Sequence, residues 1–292
     1  MKRGIWFAIG TYVIWGLFPI YWRWLQHVPA LELIAHRIAW SFLIMLGVMT
    51  ITHRWGRFRE QIASPRIRWT FLLIAALIGV NWLVYVWAVN ADYIVEASLG
   101  YFINPLVSVT LGVVFLKERL RPWQWVPVGL AAIGVIFLAL QVGSLPWISL
   151  TLAFTFGTYG LLKKITPLGP IQGMTLETGI LFPFALGWLI FTQVRGDGAF
   201  LHTGLTSDLL MAGAGVVTTV PLLMFAAAAQ AIPLSLVGIL QYLSPTGQFL
   251  IGVLVFGEAL SVERLVGFSI VWLALIIFAV EGWLHSRRFA RK

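Results

Sequence analysis

Residues 95–106 read Val-Glu-Ala-Ser-Leu-Gly-Tyr-Phe-Ile-Asn-Pro-Leu, and residues 236–247 read Leu-Val-Gly-Ile-Leu-Gln-Tyr-Leu-Ser-Pro-Thr-Gly. Each sets polar side chains and a proline inside a long apolar run. An offset of 140 residues superimposes Pro105 on Pro245, Asn104 on Ser244, Gly112 on Gly252, Glu118 on Glu258 and Leu120 on Leu260. The same offset aligns Asn90 with Gln230 and Arg37 with Glu177. Two unrelated apolar helices rarely match Pro, Gly, Glu and Leu at one spacing, so the chain reads as two copies of one unit, 1–142 and 143–292.

Hydrophobic residues make up 60% of the 292-residue chain and charged residues 11%, against roughly half and a quarter in ordinary soluble domains. Such a chain lacks the polar residues to cover itself in water. A run of about 20 apolar residues spans a bilayer as a helix. Such runs lie at 4–22, 30–51, 69–90, 93–116, 122–141, 147–163, 170–192, 207–230, 233–256 and 265–284. The alternation of a transmembrane β-barrel is absent. The first run holds Trp6, Trp15 and Pro19 and no small-residue cleavage motif, so it reads as a retained helix rather than a signal peptide. The expected fold is an all-α membrane protein with ten transmembrane helices. Because each copy has an odd number of spans, the second lies upside down relative to the first, an inverted-topology repeat.

Charge placement sets the orientation. With the N-terminus inside, 16 of the 20 Lys and Arg residues fall in cytoplasmic stretches, while Arg23, Arg195 and Arg264 lie outside and Arg37 within a span. The positive-inside rule then places both termini in the cytoplasm. The net charge of +9 is a topology signal and an attraction to anionic lipid rather than a nucleic-acid footprint. The basic loop Leu-Lys-Glu-Arg-Leu-Arg (116–121) has a counterpart at 256–264 that has lost most of its positive excess, as loops on opposite membrane sides would. Trp residues near span ends, such as Trp22, Trp24, Trp55, Trp69, Trp123 and Trp147, read as interfacial anchors.

Polar groups at membrane depth are the candidate functional residues, because each is costly there without a partner or a cavity. Arg37 lies seven residues into the second span, about 10 Å deep at 1.5 Å per residue. Its cheapest partners are Glu32 or Glu96; snorkelling to the interface is the alternative. Glu177 enters the seventh span by the same distance from the other side, too far from Arg37 for a direct pair, so the two either bracket a central cavity or tie down their own halves. A carboxyl group at such depth can hold or release a proton, which makes Glu96 and Glu177 candidates for proton coupling. Pro105 and Pro245 are candidate helix kinks. His36, Asn81, Tyr85, Tyr101, Asn104, Tyr159, Gln241 and Tyr242 are candidates, with Arg37, for a cavity wall between the halves. Gly213, Gly215 and the run Ala226–Ala229 suit close helix contact.

No HExxH, GxSxG, Walker or GxGxxG pattern occurs, and the five histidines, His27, His36, His53, His202 and His285, have no ligand spacing. The chain has no cysteine, which excludes disulfides and thiolate chemistry. No catalytic residue, metal or cofactor is expected, and nothing in the chain would use ATP directly.

Four motifs together carry a resemblance: Gly-Thr-Tyr-Val-Ile-Trp-Gly-Leu-Phe-Pro-Ile-Tyr-Trp (10–22), Glu-Leu-Ile-Ala-His-Arg-Ile-Ala-Trp-Ser (32–41), Glu-Ala-Ser-Leu-Gly-Tyr-Phe-Ile-Asn-Pro-Leu (96–106) and Leu-Gln-Tyr-Leu-Ser-Pro-Thr (240–246). The chain resembles EamA-type transporters of the drug/metabolite transporter superfamily, in their chloramphenicol-sensitivity (RarD) branch. The resemblance implies two EamA repeats, a bacterial inner-membrane location and alternating access, with efflux of amino acids, other metabolites or drugs. It also makes Arg37 a candidate for an anionic substrate group. The expected partners are a small-molecule substrate and membrane lipid, with no nucleic acid. A non-transporting membrane scaffold or sensor is the alternative, and it predicts a packed interior.

Overall fold

The computed structural model describes residues 2–91, 93–140, 146–257 and 262–290, and all regular structure among them is helical. Twelve α-helices follow in order: α1 (Lys2–Trp24), α2 (Ala30–Ile51), α3 (Trp55–Ile62), α4 (Pro65–Asn90), α5 (Ile94–Phe115), α6 (Trp125–Leu140), α7 (Trp147–Ile165), α8 (Pro170–Arg195), α9 (Leu205–Ala231), α10 (Leu234–Gln241), α11 (Leu243–Leu254) and α12 (Val262–Ala290). The boundary drawn at 142 and 143, and Glu258 of the sequence repeat, lie outside the described residues. Among the described residues eight stretches are long and apolar enough to cross a membrane, one of them the 3₁₀ turn Pro122–Gln124 joined to α6 and another the α10–α11 pair. The chain is a multi-pass membrane protein.

Local chemistry sets many of the helix ends. Pro65 and Pro170 open α4 and α8, where the missing N–H costs nothing and the fixed φ suits the first turn. Gly196, at φ +78°, closes α8 in the left-handed conformation that glycine adopts without strain.

Two elements differ from the sequence expectation. The break between the second and third spans contains α3, a short helix that buries Phe58 and exposes Arg57 and Arg59. The ninth span is two helices, broken at Tyr242. Pro245 explains the break: it has no N–H to donate to the carbonyl of Gln241, four residues earlier. Pro105, the counterpart, sits inside α5, which continues through it.

Contacts between helix ends define two faces. At the terminal face, where α1 starts, Gly4 lies against Ala231 and Ile232 at the end of α9. At the far face, the Tyr21 hydroxyl donates to the Leu210 carbonyl near the start of α9, and His27 meets Ser207 at 2.8 Å. Trp6, Trp69 and Trp123 are exposed near helix ends, as expected of side chains anchored at a lipid interface.

In the bundle, α1 packs on α9 and α11, α7 on α4 and α5, α2 on α8 and α9, α4 on α8, α5 on α10, and α6 on α12. Close approach depends on missing side chains. A Cβ at Gly215 would come within 2.5 Å of the Trp40 Cβ and 2.9 Å of the Ser41 nitrogen, so α9 can lie this close to α2 only with glycine there. At Gly238 a Cβ would meet the Pro105 carbonyl at 2.7 Å, which brings α10 onto α5 at the proline.

A cavity above a sealed ion pair

Six helix stripes converge on a cavity of about 300 Å³. α1 contributes Trp15, Phe18, Pro19 and Trp22; α4 gives Asn81, Trp82 and Tyr85; α5 gives Gly100, Tyr101 and Asn104. Leu152 and Phe156 come from α7, Thr218 and Leu222 from α9, and Gln241, Ser244, Pro245 and Gln248 from the broken α10–α11 pair; Arg37 of α2 completes the wall. Within each helix these positions recur every three or four residues, in places as neighbouring pairs such as Phe18–Pro19 and Asn81–Trp82, the pattern of one helix face.

Among the described residues no carboxylate holds Arg37 in place. Its Nε donates to Thr218 Oγ1 at 2.9 Å, and its guanidinium carbon lies 5.0 Å from the ring centre of Trp22 and 4.7 Å from that of Trp82. Such cation–π contacts are strongest on indole. Asn81 donates to the Leu152 carbonyl and to Thr155 Oγ1, both at 2.9 Å, which orients its amide. The rings of Tyr85 and Tyr101 meet edge to face at 5.8 Å. Asn104 Oδ1 and Gln241 Oε1 are buried and have no hydrogen-bond partner among the described residues.

The remaining sequence candidates lie off this wall. His36 packs on Phe200, with Nε2 3.8 Å from Glu32. Glu32 accepts the backbone N–H groups of Ala199, at 2.8 Å, and Phe200, at 3.2 Å, so it ties the α8–α9 loop to α2 and is not the partner of Arg37. Glu96 is buried with Oε2 unpartnered among the described residues, while its backbone carbonyl accepts from Ser149 at 2.6 Å. Neither expected Arg37 pair forms, because the indoles and Thr218 occupy the guanidinium instead. Tyr242 turns away to donate to the Phe102 carbonyl at 3.2 Å.

Tyr159 and Glu177 sit below the cavity floor. Trp15, Phe156 and Phe225 pack with ring centres 5.2–5.9 Å apart, and Tyr159 stacks under Phe225 at 5.9 Å. Beneath that layer the Tyr159 hydroxyl donates to Glu177 Oε1 at 3.2 Å. Glu177 Oε2 is 2.5 Å from Lys163 Nζ, and the side chains of both are 2% exposed. Lys163, counted from sequence as a charge in a cytoplasmic stretch, is thus a buried partner of Glu177. Its neighbour Lys164 donates to the carbonyls of Ala229 and Ile232 at the end of α9. Glu118 accepts the N–H groups of Leu234, at 2.6 Å, and Ser235, at 2.9 Å, capping the start of α10 where the helix has no cap of its own. These contacts join α7 to α8 and α9, and the end of α5 to α10, at the terminal face.

The motif model described as the EamA-like transporter family matches residues 2–140. The chain is 45% identical to Protein RarD of Streptomyces exfoliatus, over 98% of this chain and 91% of that one. The chain belongs to the EamA-like transporter family, in its RarD branch. It is also 47% identical to the uncharacterised transporter YojE of Bacillus subtilis, over 95% of this chain and 93% of that protein. A solved crystal structure only 14% identical in sequence shares the fold, with a TM-score of 0.73 over 94% of this chain and 96% of the other. These relatives place the cavity and the ion pair beneath it in a membrane transporter.

Proposed function

We propose that the protein is a secondary transporter of the bacterial inner membrane that exports small organic solutes by alternating access. The observation that carries this reading is the cavity of about 300 Å³ midway along the spanning helices, bounded toward the terminal face by an aromatic layer and the Lys163–Glu177 pair. Small-molecule sites occupy roughly 300–1,000 Å³, whereas a non-binding scaffold would have a packed interior.

In this reading ten spans form two inverted five-helix repeats, and both termini are cytoplasmic. The packing supports it. If α1, α2, α4, α5 and α6 correspond to α7, α8, α9, the α10–α11 pair and α12, then α1 on α9 exchanges with α7 on α4, and α2 on α9 with α8 on α4. The pairs α2 with α8, α5 with α10 and α6 with α12 map onto themselves. Tyr242 even bonds to Phe102, the residue 140 positions before it. The wall extends from mid-helix at Trp15 toward the far face at Trp22, which supports a state open on that side. Export requires the opposite state, in which the Lys163–Glu177 pair and the Glu118 cap come apart. Glu177, once separated from Lys163, is then the natural proton carrier.

The absence of cysteine allows a direct test. Gln248→Cys places a lone thiol on the cavity wall, and a membrane-impermeant maleimide is applied to right-side-out and inside-out vesicles. Labelling from both sides is expected. Labelling from one side only, whichever solutes are present, would contradict alternating access.

A further inference from the structure

We propose that the cavity selects organic anions: a carboxylate carried on a flat apolar body. The proposal rests on the transporter reading and adds the charge class of the solute. Arg37 is the only Lys, Arg, Asp or Glu among the described residues of the wall. No carboxylate among the described residues forms an ion pair with it: Glu32 is engaged by backbone N–H groups, Glu177 by Lys163, and Glu96 lies off the wall and makes no ion pair. A charge left without a counter-charge at membrane depth is costly, and an arriving anion offsets that cost. A neutral solute returns none of it, and a cation adds to it.

The geometry also says which anion. Indole rings cover the guanidinium and Thr218 occupies its Nε, which leaves the edge carrying the two terminal nitrogens. Two parallel N–H donors on one edge match the two oxygens of a carboxylate. The rest of the wall is largely aromatic, lined by Trp15, Phe18, Phe156, Tyr85 and Tyr101, which suits an apolar, ring-bearing body. A zwitterion fits less well. Its ammonium would find only neutral acceptors, such as the unpartnered amide oxygens of Asn104 and Gln241, with no carboxylate among the described wall residues to balance it in the field of Arg37.

A matched set of four probes tests the charge class: phenylacetate, phenylacetamide, phenethylamine and phenylalanine. Binding to the purified protein at pH 7 is read by calorimetry. Phenylacetate is expected to bind at least about tenfold more tightly than each of the others, an advantage of about 1.4 kcal/mol. Arg37→Gln should remove that advantage, and Arg37→Lys, which keeps the charge but not the two-pronged edge, should restore part of it. Equal binding of acid and amide, tightest binding of phenylalanine, no binding of any probe, or an advantage that survives Arg37→Gln would each overturn the proposal. The transporter reading fails separately, by loss of two-sided labelling at Gln248→Cys.

Discussion

Replacing Lys163 with methionine is expected to destabilise the protein by about 3–5 kcal/mol, because it strands the Glu177 carboxylate in a dry interior. The environment explains the size. Both side chains are 2% exposed, and Lys163 Nζ also lies over the rings of Phe71 and Tyr159, so no water can replace the missing ammonium. Replacing both partners with apolar residues of similar volume, Lys163→Met with Glu177→Met, should recover most of the loss, since a buried pair exchanged for well-packed apolar groups is often close to neutral. Thermal unfolding of the wild type, both single variants and the double variant in detergent completes the cycle. A double variant as unstable as Lys163→Met alone would show that the pair is not a coupled unit. The double variant also bears on transport, because it seals the terminal face with apolar packing that has no charge to separate.

Arg37→Gln is expected to have the opposite profile: little loss of stability and a large loss of transport. No carboxylate among the described residues pairs with Arg37, so its removal strands no counter-charge; the Thr218 hydroxyl loses one donor, and the cavity is relieved of an uncompensated charge. Losing a charge-assisted contact to solute costs about 1.5–3 kcal/mol, which raises the solute concentration for half-maximal flux roughly 10- to 150-fold. Flux in proteoliposomes, read beside the unfolding temperature of the same preparation, separates the two effects. A variant that unfolds early and transports normally once folded would reverse the roles assigned to Arg37 and Lys163.

Much of this organisation is legible in the sequence, for identifiable reasons. Span positions follow from apolar run length; α2 spans Ala30–Ile51, the expected range, because Pro29 before it and the polar His53-Arg54 after it leave the ends little freedom. Arg37, Asn81, Tyr85, Tyr101, Asn104 and Gln241 reach the wall because a polar side chain at membrane depth has few other places to go. Side-chain partners are another matter. Trp22 reads from sequence as an interfacial anchor, yet it covers Arg37, and only the stripe formed by Trp15, Phe18, Pro19 and Trp22 signals a cavity-facing side of α1. Lys163 adjoins Lys164 near a span end, so a linear reading treats both as loop charges. What separates them is rotation: one residue turns a helix by about 100°, enough to aim Lys163 at Glu177 and Lys164 at α9. His36, Tyr159 and Tyr242 lie off the wall for the same reason, facing Phe200, Glu177 and Phe102.

The most direct measurement is counterflow in sealed proteoliposomes preloaded with unlabelled solute, using a labelled panel of aromatic carboxylates, amino acids and chloramphenicol, with and without a pH gradient. Saturable accumulation of at least one solute above protein-free liposomes, weakened by Arg37→Gln, is the predicted result. Accumulation no greater than in protein-free liposomes for every solute, under both conditions, would contradict transport through this cavity.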